Sequence, residues 1–428
     1  MKKYDEYKDS GVAWIGDVPK HWEVGKLKHC SHIVLGKMLM TSPPKGSEGS
    51  YTLEKYLKSK NVGWLQLFLE EDNIDEMWFN QYEKSIYKLQ ENDIVMNEGG
   101  DIGKVSCWRG TDFDCYIQNS INKITADYNR VDAGFLCYWL YNLSSLGYFW
   151  SIVSQISIAH LTKEKLSNSP VVLPPITEQV AIATYLDTHC AKIDNLISIQ
   201  QKRIALLQEL KQSVITHAVT KGLNPNVEMK QSGVEWIGDV PKHWEYCRFK
   251  DFMLLQTTAS NSNNKIGLEN IESRSGRFVY TGSEFDGNGI AFSNQDIIYG
   301  KLRPYLQKVW LATFDGNAVG DFFVFRMKSN SCPSFVKYLM LSDGYTKETD
   351  GSTIGAKMPR VSSDFILTMH YCLPPITEQA AIASYLDHKC ATIDTSISNA
   401  QHQIDLLQEY KQSLITEVVT GKRKVTDN

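Results

Sequence analysis

Leu173-Pro-Pro-Ile-Thr-Glu-Gln179 opens a run with no proline or glycine as far as Thr220, and Leu373-Pro-Pro-Ile-Thr-Glu-Gln379 opens a second as far as Thr420. Paired prolines followed by an acidic first turn and a long uninterrupted stretch predict two long helices, with Thr177 and Thr377 as expected N-caps. Steps of three and four pick out Ile193, Ile197, Gln200, Ile204, Leu207, Lys211, Val214 and Ala218 in the first run. The second gives Ile393, Ile397, Ala400, Ile404, Leu407, Lys411, Leu414 and Val418. Apolar residues dominate both stripes over more than three heptads, the pattern of a coiled-coil seam. Stops are expected at Lys221-Gly222 and Gly421-Lys422.

Working outward, the whole chain is written twice. Ser10-Gly-Val-Ala-Trp-Ile-Gly-Asp-Val-Pro-Lys-His-Trp-Glu23 returns as Ser232-Gly-Val-Glu-Trp-Ile-Gly-Asp-Val-Pro-Lys-His-Trp-Glu245, and Gln208-Glu-Leu-Lys-Gln-Ser-Val-Ile-Thr216 returns as Gln408-Glu-Tyr-Lys-Gln-Ser-Leu-Ile-Thr416. These near-identical frames bracket two dissimilar interiors, 24–172 and 246–372. Asp93-Ile-Val-Met96 aligns with Asp296-Ile-Ile-Tyr299, Gly103–Trp108 with Gln307–Ala312, and Gln118–Ile124 with Asp321–Met327, all at offsets of 203–204. Short β-rich runs separated by turn residues, followed by helical stretches, predict a mixed α+β domain in each interior. The apolar window Phe135–Trp150 is too short for a membrane span and reads as a core helix.

The expected fold is therefore α+β, with two globular domains separated by two long helices that pair as an antiparallel coiled coil. The boundaries are a framing segment over 1–23, a first domain over 24–172, a first helix over 173–222 and a repeated frame over 223–245. A second domain over 246–372, a second helix over 373–422 and a tail over 423–428 follow. The seam from Ile193 to Ala218 spans about 39 Å at 1.5 Å per residue. That length permits two readers to stand about one DNA turn apart, roughly 34–36 Å.

Composition bounds the chemistry. The chain has a net charge of −4, and residues 24–172 hold 15 Lys+Arg against 17 Asp+Glu, while 246–372 hold 14 against 12. A protein that grips DNA alone shows a basic excess, so a DNA reader of this composition needs partners for phosphate attraction. Nine cysteines without a CxxC pair read as reduced, mostly buried thiols. The N-terminus has no secretory signal, and a soluble cytoplasmic protein is expected. Phosphate-loop, dinucleotide-binding, GxSxG and HExxH patterns are absent, as is the Asn/Asp-Pro-Pro-aromatic signature of amino-methyltransferases. No catalytic centre and no metal site are expected. His21 and His243 recur beside tryptophan as structural residues.

The frames SGVxWIGDVPKHWE, LPPITEQxAIAxYLD and QExKQSxIT resemble the conserved regions of Type I restriction-modification specificity subunits. Asp296–Leu306, Gly351–Ile354 with Met358–Arg360, and Asn97–Asp101 with Gln118-Asn119 are similar to that family's target-recognition domains. The resemblance spans essentially the whole chain. It implies a non-catalytic subunit in which each domain reads one half of a split DNA site and the coiled coil sets the spacer. It further implies two methyltransferase and two motor-nuclease partner subunits, with S-adenosylmethionine, ATP and Mg handled by those partners.

For base or phosphate contact the candidates are Lys301, Arg303, Tyr305 and Lys308 around Pro304, and Ser352, Thr353, Lys357 and Arg360 after Asp350-Gly351, read as a flexible loop. In the first domain they are Lys104 with the amides Asn97, Gln118 and Asn119, suited to adenine, and His160, which aligns with Arg360. Solvated loops, a simple turn at Asn97 and a capping-region contact are the competing readings. Glu178, Gln179, Glu378 and Gln379 are candidate partner-subunit contacts, as are Trp14 and Trp236, for which packing is the stronger reading. A stand-alone tandem DNA-binding regulator and a protein-only coiled-coil scaffold are the rival functions. The first requires tight DNA binding by the isolated chain, and the second requires interiors that match each other or that expose apolar docking strips.

Overall fold

The computed structural model describes residues 2–153, 159–261, 264–355 and 357–425. The chain divides into two compact units, Met1–Ile199 with Gln403–Asn428 and Gln200–His402. Both long helices are present, Ile176–Lys221 and Ile376–Val419. Each helix contributes one half to each unit, so the helices belong to the two cores as well as joining them.

The first unit holds a four-stranded antiparallel sheet of β1 (Ser31–Leu35), β2 (Ile94–Asn97), β3 (Val105–Cys107) and β4 (Ile121–Ala126), in the order β1-β4-β2-β3. The second repeats it with β5 (Met253–Gln256), β6 (Ile297–Gly300), β7 (Val309–Leu311) and β8 (Phe322–Met327), in the order β5-β8-β6-β7. Pairing registers make the equivalence residue by residue. Ser31 faces Ala126 as Met253 faces Met327, and Ile94 faces Cys107 as Ile297 faces Leu311.

The strand pairing overturns one alignment expected from the sequence. Ile94 pairs with Ile124 and Ile297 with Phe325, so β4 and β8 correspond at an offset of 201 rather than 203. The two-residue shift preserves which side chains face inward, because strand faces repeat every two residues. Sequence pattern alone is blind to it.

Helix α1 (Ala133–Ser145) covers the first sheet, with Phe135 and Trp139 fully buried, and the apolar window breaks at Gly147, where φ is 77°. Its counterpart is α3 (Pro333–Met340), with Phe335 and Leu339 buried. The long helices, α2 (Ile176–Lys221) and α4 (Ile376–Val419), begin directly after the proline pairs. Pro175 and Pro375 accept the first helical hydrogen bonds, so Thr177 and Thr377 lie inside the helices and are not N-caps. Both helices stop at glycines with left-handed φ, Gly222 at 75° and Gly421 at 71°.

Within the first unit the opening half of α2 runs antiparallel to the closing half of α4. Ile193 and Cys190 share a core with Leu414, Ile415 and Val418. The Lys411 ammonium reaches both oxygens of Asp194, at 2.7 and 2.8 Å. Within the second unit the roles are exchanged, with Ile215, Ala218 and Val219 packed near Ile382, Leu386 and Cys390, and Lys211 bonded to both oxygens of Asp394 at 2.8 and 2.9 Å. The lysines at the seam positions are thus charge-paired across the helices. A slip along either seam separates the pair, which pins the register.

The repeated frame folds as a hairpin in each unit, Tyr7–Asp9 with Asp17–Pro19 and Met229–Gln231 with Asp239–Pro241. It buries Ile15, Val18 and Trp22, and Ile237, Val240 and Trp244, against the helix ends. None of the nine cysteines is paired and six are buried. Among the described residues no helix is long and apolar enough to cross a membrane. The last part of the 423–428 tail lies outside the described residues.

Candidate nucleic-acid interface

At one end of each four-stranded sheet the same backbone corner is built twice. In the first unit Asn97 N donates to Lys104 O at 2.9 Å, Glu98 N to Ser120 O at 2.9 Å, and Leu161 N to Glu98 O at 2.7 Å. In the second, Gly300 N donates to Lys308 O at 2.8 Å, Lys301 N to Asp321 O at 3.0 Å, and Val361 N to Lys301 O at 3.1 Å. Isolated bridges complete the match, Gly99 with His160 and Leu302 with Arg360. Three separate segments therefore converge on Glu98, Ser120 and His160 in one unit and on Lys301, Asp321 and Arg360 in the other.

The side chains at these equivalent places differ in charge. His160 Nδ1 lies 2.7 Å from Glu98 Oε2 and its ring is half exposed. Arg360 donates to Asp321 at 3.0 Å, and the Lys301 ammonium lies 3.6 Å from the same carboxylate. Arg303, with φ at 52°, is held by its N–H on Pro359 O at 2.8 Å, and its guanidinium has no protein partner among the described residues. Lys357 is likewise exposed and unpaired among the described residues, and Tyr305 is 42% exposed. The second corner thus presents exposed Arg303, Tyr305 and Arg360, with Lys301 partly covered beside Asp321 and Lys357 exposed two residues before Pro359, a largely cationic set of the kind that meets phosphates and guanine edges.

Other expected readers are placed differently. Lys308 turns inward and donates to Leu268 O and Ile271 O at 2.7 Å each, and burial pushes its ammonium below the usual lysine range. It bolts a loop to the sheet and offers no free donor to a ligand. Ser352 and Thr353 return their hydroxyls to the carbonyls of Thr349 and Asp350. Asp350-Gly351 is the last turn of the helix Asp343–Gly351, not a flexible loop. Asn97 is fully buried with its amide on Ser59 O at 3.2 Å, so it reads no base from this position.

Gln118 and Asn119 are half buried and joined, the Gln118 amide donating to Asn119 Oδ1 at 2.7 Å and Gln118 Oε1 accepting from the Ser120 hydroxyl at 2.5 Å. Lys104 pairs with Asp101 at 2.5 Å. Sequence reasoning passed over Glu98 and Ser120 as site residues. The 201 offset would have set Ser120 opposite Asp321, and only the pairing register reveals that offset.

The expected partner contacts divide. Gln179 and Gln379 are fully buried clamps. Gln179 accepts from Asp132 N at 2.8 Å and donates to Arg130 O and Pro174 O, and Gln379 accepts from Cys332 N at 2.8 Å and donates to Asn330 O and Pro374 O. They have no surface left for another subunit. Glu178 is buried between the Tyr4 hydroxyl and His21, 2.9 Å away, whereas Glu378 is half exposed beside His243 at 2.7 Å. Trp14 packs 5.3 Å from the Tyr148 ring, and Trp236 stacks 6.2 Å from Tyr371, as packing residues do. Among the described residues no group of three or more His, Cys, Asp or Glu gathers to hold a metal.

A family model described as the Type I restriction modification DNA specificity domain matches residues 19–209. The chain is 23% identical over 433 residues to the Type I restriction enzyme MjaVIII specificity subunit of Methanocaldococcus jannaschii, covering 95% of this chain and 94% of that protein. It is 25% identical over 290 residues to the Type I restriction enzyme EcoDI specificity subunit of Escherichia coli, covering 62% of this chain and 65% of that one. In fold it is similar to a chain of a type I R-M system solved for its complex assembly and conformational transition, with a TM-score of 0.68 at 12% identity over 94% of this chain and 98% of that chain. The HsdS subunit from Thermoanaerobacter tengcongensis follows, with a TM-score of 0.50 at 13% identity over 95% and 98%. The domain match over residues 19–209, the relatives and the shared fold agree with the doubled frame, and all of them liken the chain to the specificity subunits of Type I restriction-modification systems.

Proposed function

We propose that this chain is the non-catalytic DNA reader of a Type I restriction-modification complex. Residues 24–172 and 246–372 each read one half of a bipartite site, and the paired helices set the unread spacer. The reading is carried by one observation: equivalent backbone corners hold Glu98, Ser120 and His160 in one unit and Lys301, Asp321 and Arg360 in the other. A scaffold gains nothing from changing charge on a corner that its two units share, whereas a reader of two different half-sites requires it. Arg303, Lys357 and Arg360, with Lys301 and Tyr305, act in one half-site. Gln118, Asn119, His160 and Lys104 act in the other.

The net charge of −4 assigns much of the phosphate attraction to partners. Two methyltransferase subunits and two restriction subunits fill that role, bringing S-adenosylmethionine, ATP and Mg, and half-exposed Glu378 is one foothold for them. The test is a methylation map. The chain is expressed with its neighbouring modification subunit in a host without adenine methylation, and the DNA is sequenced with base-modification detection. A single split motif that requires this chain is expected, and exchanging residues 246–372 for a relative's domain changes one half-site alone. No new methylation with an active modification subunit sinks the reading and favours a stand-alone regulator or a scaffold.

A further inference from the structure

Immediately after β1, the first unit displays two large apolar side chains to solvent, Met38 at 75% and Leu39 at 55% exposure. Scattered exposed apolar residues are ordinary, but this pair is neither isolated nor loosely held. Gly36 N donates to Ile121 O and Lys37 N to Ile117 O at 3.0 Å each, and Asn119 N donates to Lys37 O at 2.8 Å. The Gly36 backbone lies so close to Gln118 O that a Cβ there would overlap it. On the far side Trp78 N donates to Met40 O at 3.2 Å.

The Lys37 side chain serves as a further anchor. It is 6% exposed, its ammonium bonding to Glu83 at 2.5 Å and to Trp78 O at 2.7 Å. Fixing Met38 and Leu39 between two anchors removes the freedom they would need to fold back onto the protein. The same loop continues through Pro43-Pro44 to Lys45, which is exposed and has no partner among the described residues. In the second unit the equivalent positions, at the offset of 222 that relates Ser31 to Met253, are Ala259, Ser260 and Asn261, and the first two are taken up in strand pairing.

We infer that Met38 and Leu39 are specificity-determining residues that recognise the 5-methyl group of thymine in the major groove. The base they recognise lies beside the one addressed by Gln118 and Asn119. The inference rests on the proposed DNA-reading role of the same corner. Amides read the N6 and N7 edge of adenine, and the only apolar group on that groove floor is the thymine methyl. The backbone bond from Asn119 to Lys37 holds both kinds of reader on one platform. Lys45 supplies a phosphate contact that seats it.

The test uses the full chain with its modification subunit. Once the motif is mapped, each thymine of both half-sites is replaced in turn by uracil, which lacks only the methyl, and initial methylation rates at subsaturating DNA are compared. One thymine of one half-site is expected to show a loss of about fourfold, the worth of one methyl removed from water at about 0.8 kcal/mol. M38S/L39S, both exposed and neutral to folding, loses that thymine-over-uracil preference while discrimination in the other half-site stands. Wild-type indifference to every uracil overturns the inference, as does a variant that keeps the preference. A variant that fails to bind the modification subunit assigns the pair to protein docking and overturns it as well. Absence of any mapped motif fails the DNA-reading role itself, a result visible before uracil is introduced.

Discussion

The two units set different side chains on one backbone plan, in the seam and at the corner. In the second unit Asp394 lies 19% exposed beneath Lys211 and also receives Arg277 at 2.7 Å. In the first, Asp194 answers Lys411 with its side chain 54% exposed. At the corners, half-exposed His160 is paired with a largely covered Glu98 in one unit, and half-exposed Arg360 shares Asp321 with Lys301 in the other. Backbone hydrogen bonds follow position and are kept. Charge is not kept with them, and it varies.

That contrast can be broken by substitution. The largest effect is expected from Asp394→Ala, which leaves the enclosed Lys211 ammonium uncompensated, releases the exposed Arg277 and costs about 3 kcal/mol of stability in denaturant unfolding. Gln379→Ala follows, stranding the Cys332 N–H and removing two further bonds at a cost of about 2 kcal/mol. Gln179→Ala should cost the same within experimental error, because its bonds are the same. Unequal values would show that the repeat is geometric but not energetic.

At the corners the effects are read on DNA by the assembled complex. Arg303→Ala is expected to weaken binding about tenfold and to relax one position of one half-site, since its guanidinium is unspent within the protein. Lys357→Ala should weaken all sequences alike and lower the salt dependence by about one counterion. His160→Ala, already answered by Glu98, should cost less than about threefold. The smallest stability effect belongs to Asp194→Ala, under about 1 kcal/mol because water screens the pair. A loss comparable to that of Asp394→Ala would erase the distinction between the two seams.

Much of this was legible in the sequence. Proline and glycine punctuate the two long helices, a 3-4 stripe marks their seams, and the doubled frames declare two similar units. The resemblance to specificity subunits rested on the same strings. The N-caps were misread because Pro175 and Pro375 already carry the capping carbonyls. The Asp350-Gly351 turn was misread because a glycine at a helix end looks like a loop.

The sequence by itself determined the repeat, the helices and the fold class, because these follow from periodicity and backbone chemistry that operate locally. Only the tertiary structure decided which polar residues face outward. Lys308 and Asn97 spend their hydrogen bonds on carbonyls far away in the chain, Gln179 and Gln379 close on carbonyls 49 positions distant, and Met38 and Leu39 are lifted into solvent by a buried lysine. The offset of 201 between β4 and β8 likewise became visible only in the pairing. A shift of two residues leaves every strand face unchanged, so side-chain pattern cannot register it, and hydrogen bonds between distant segments can.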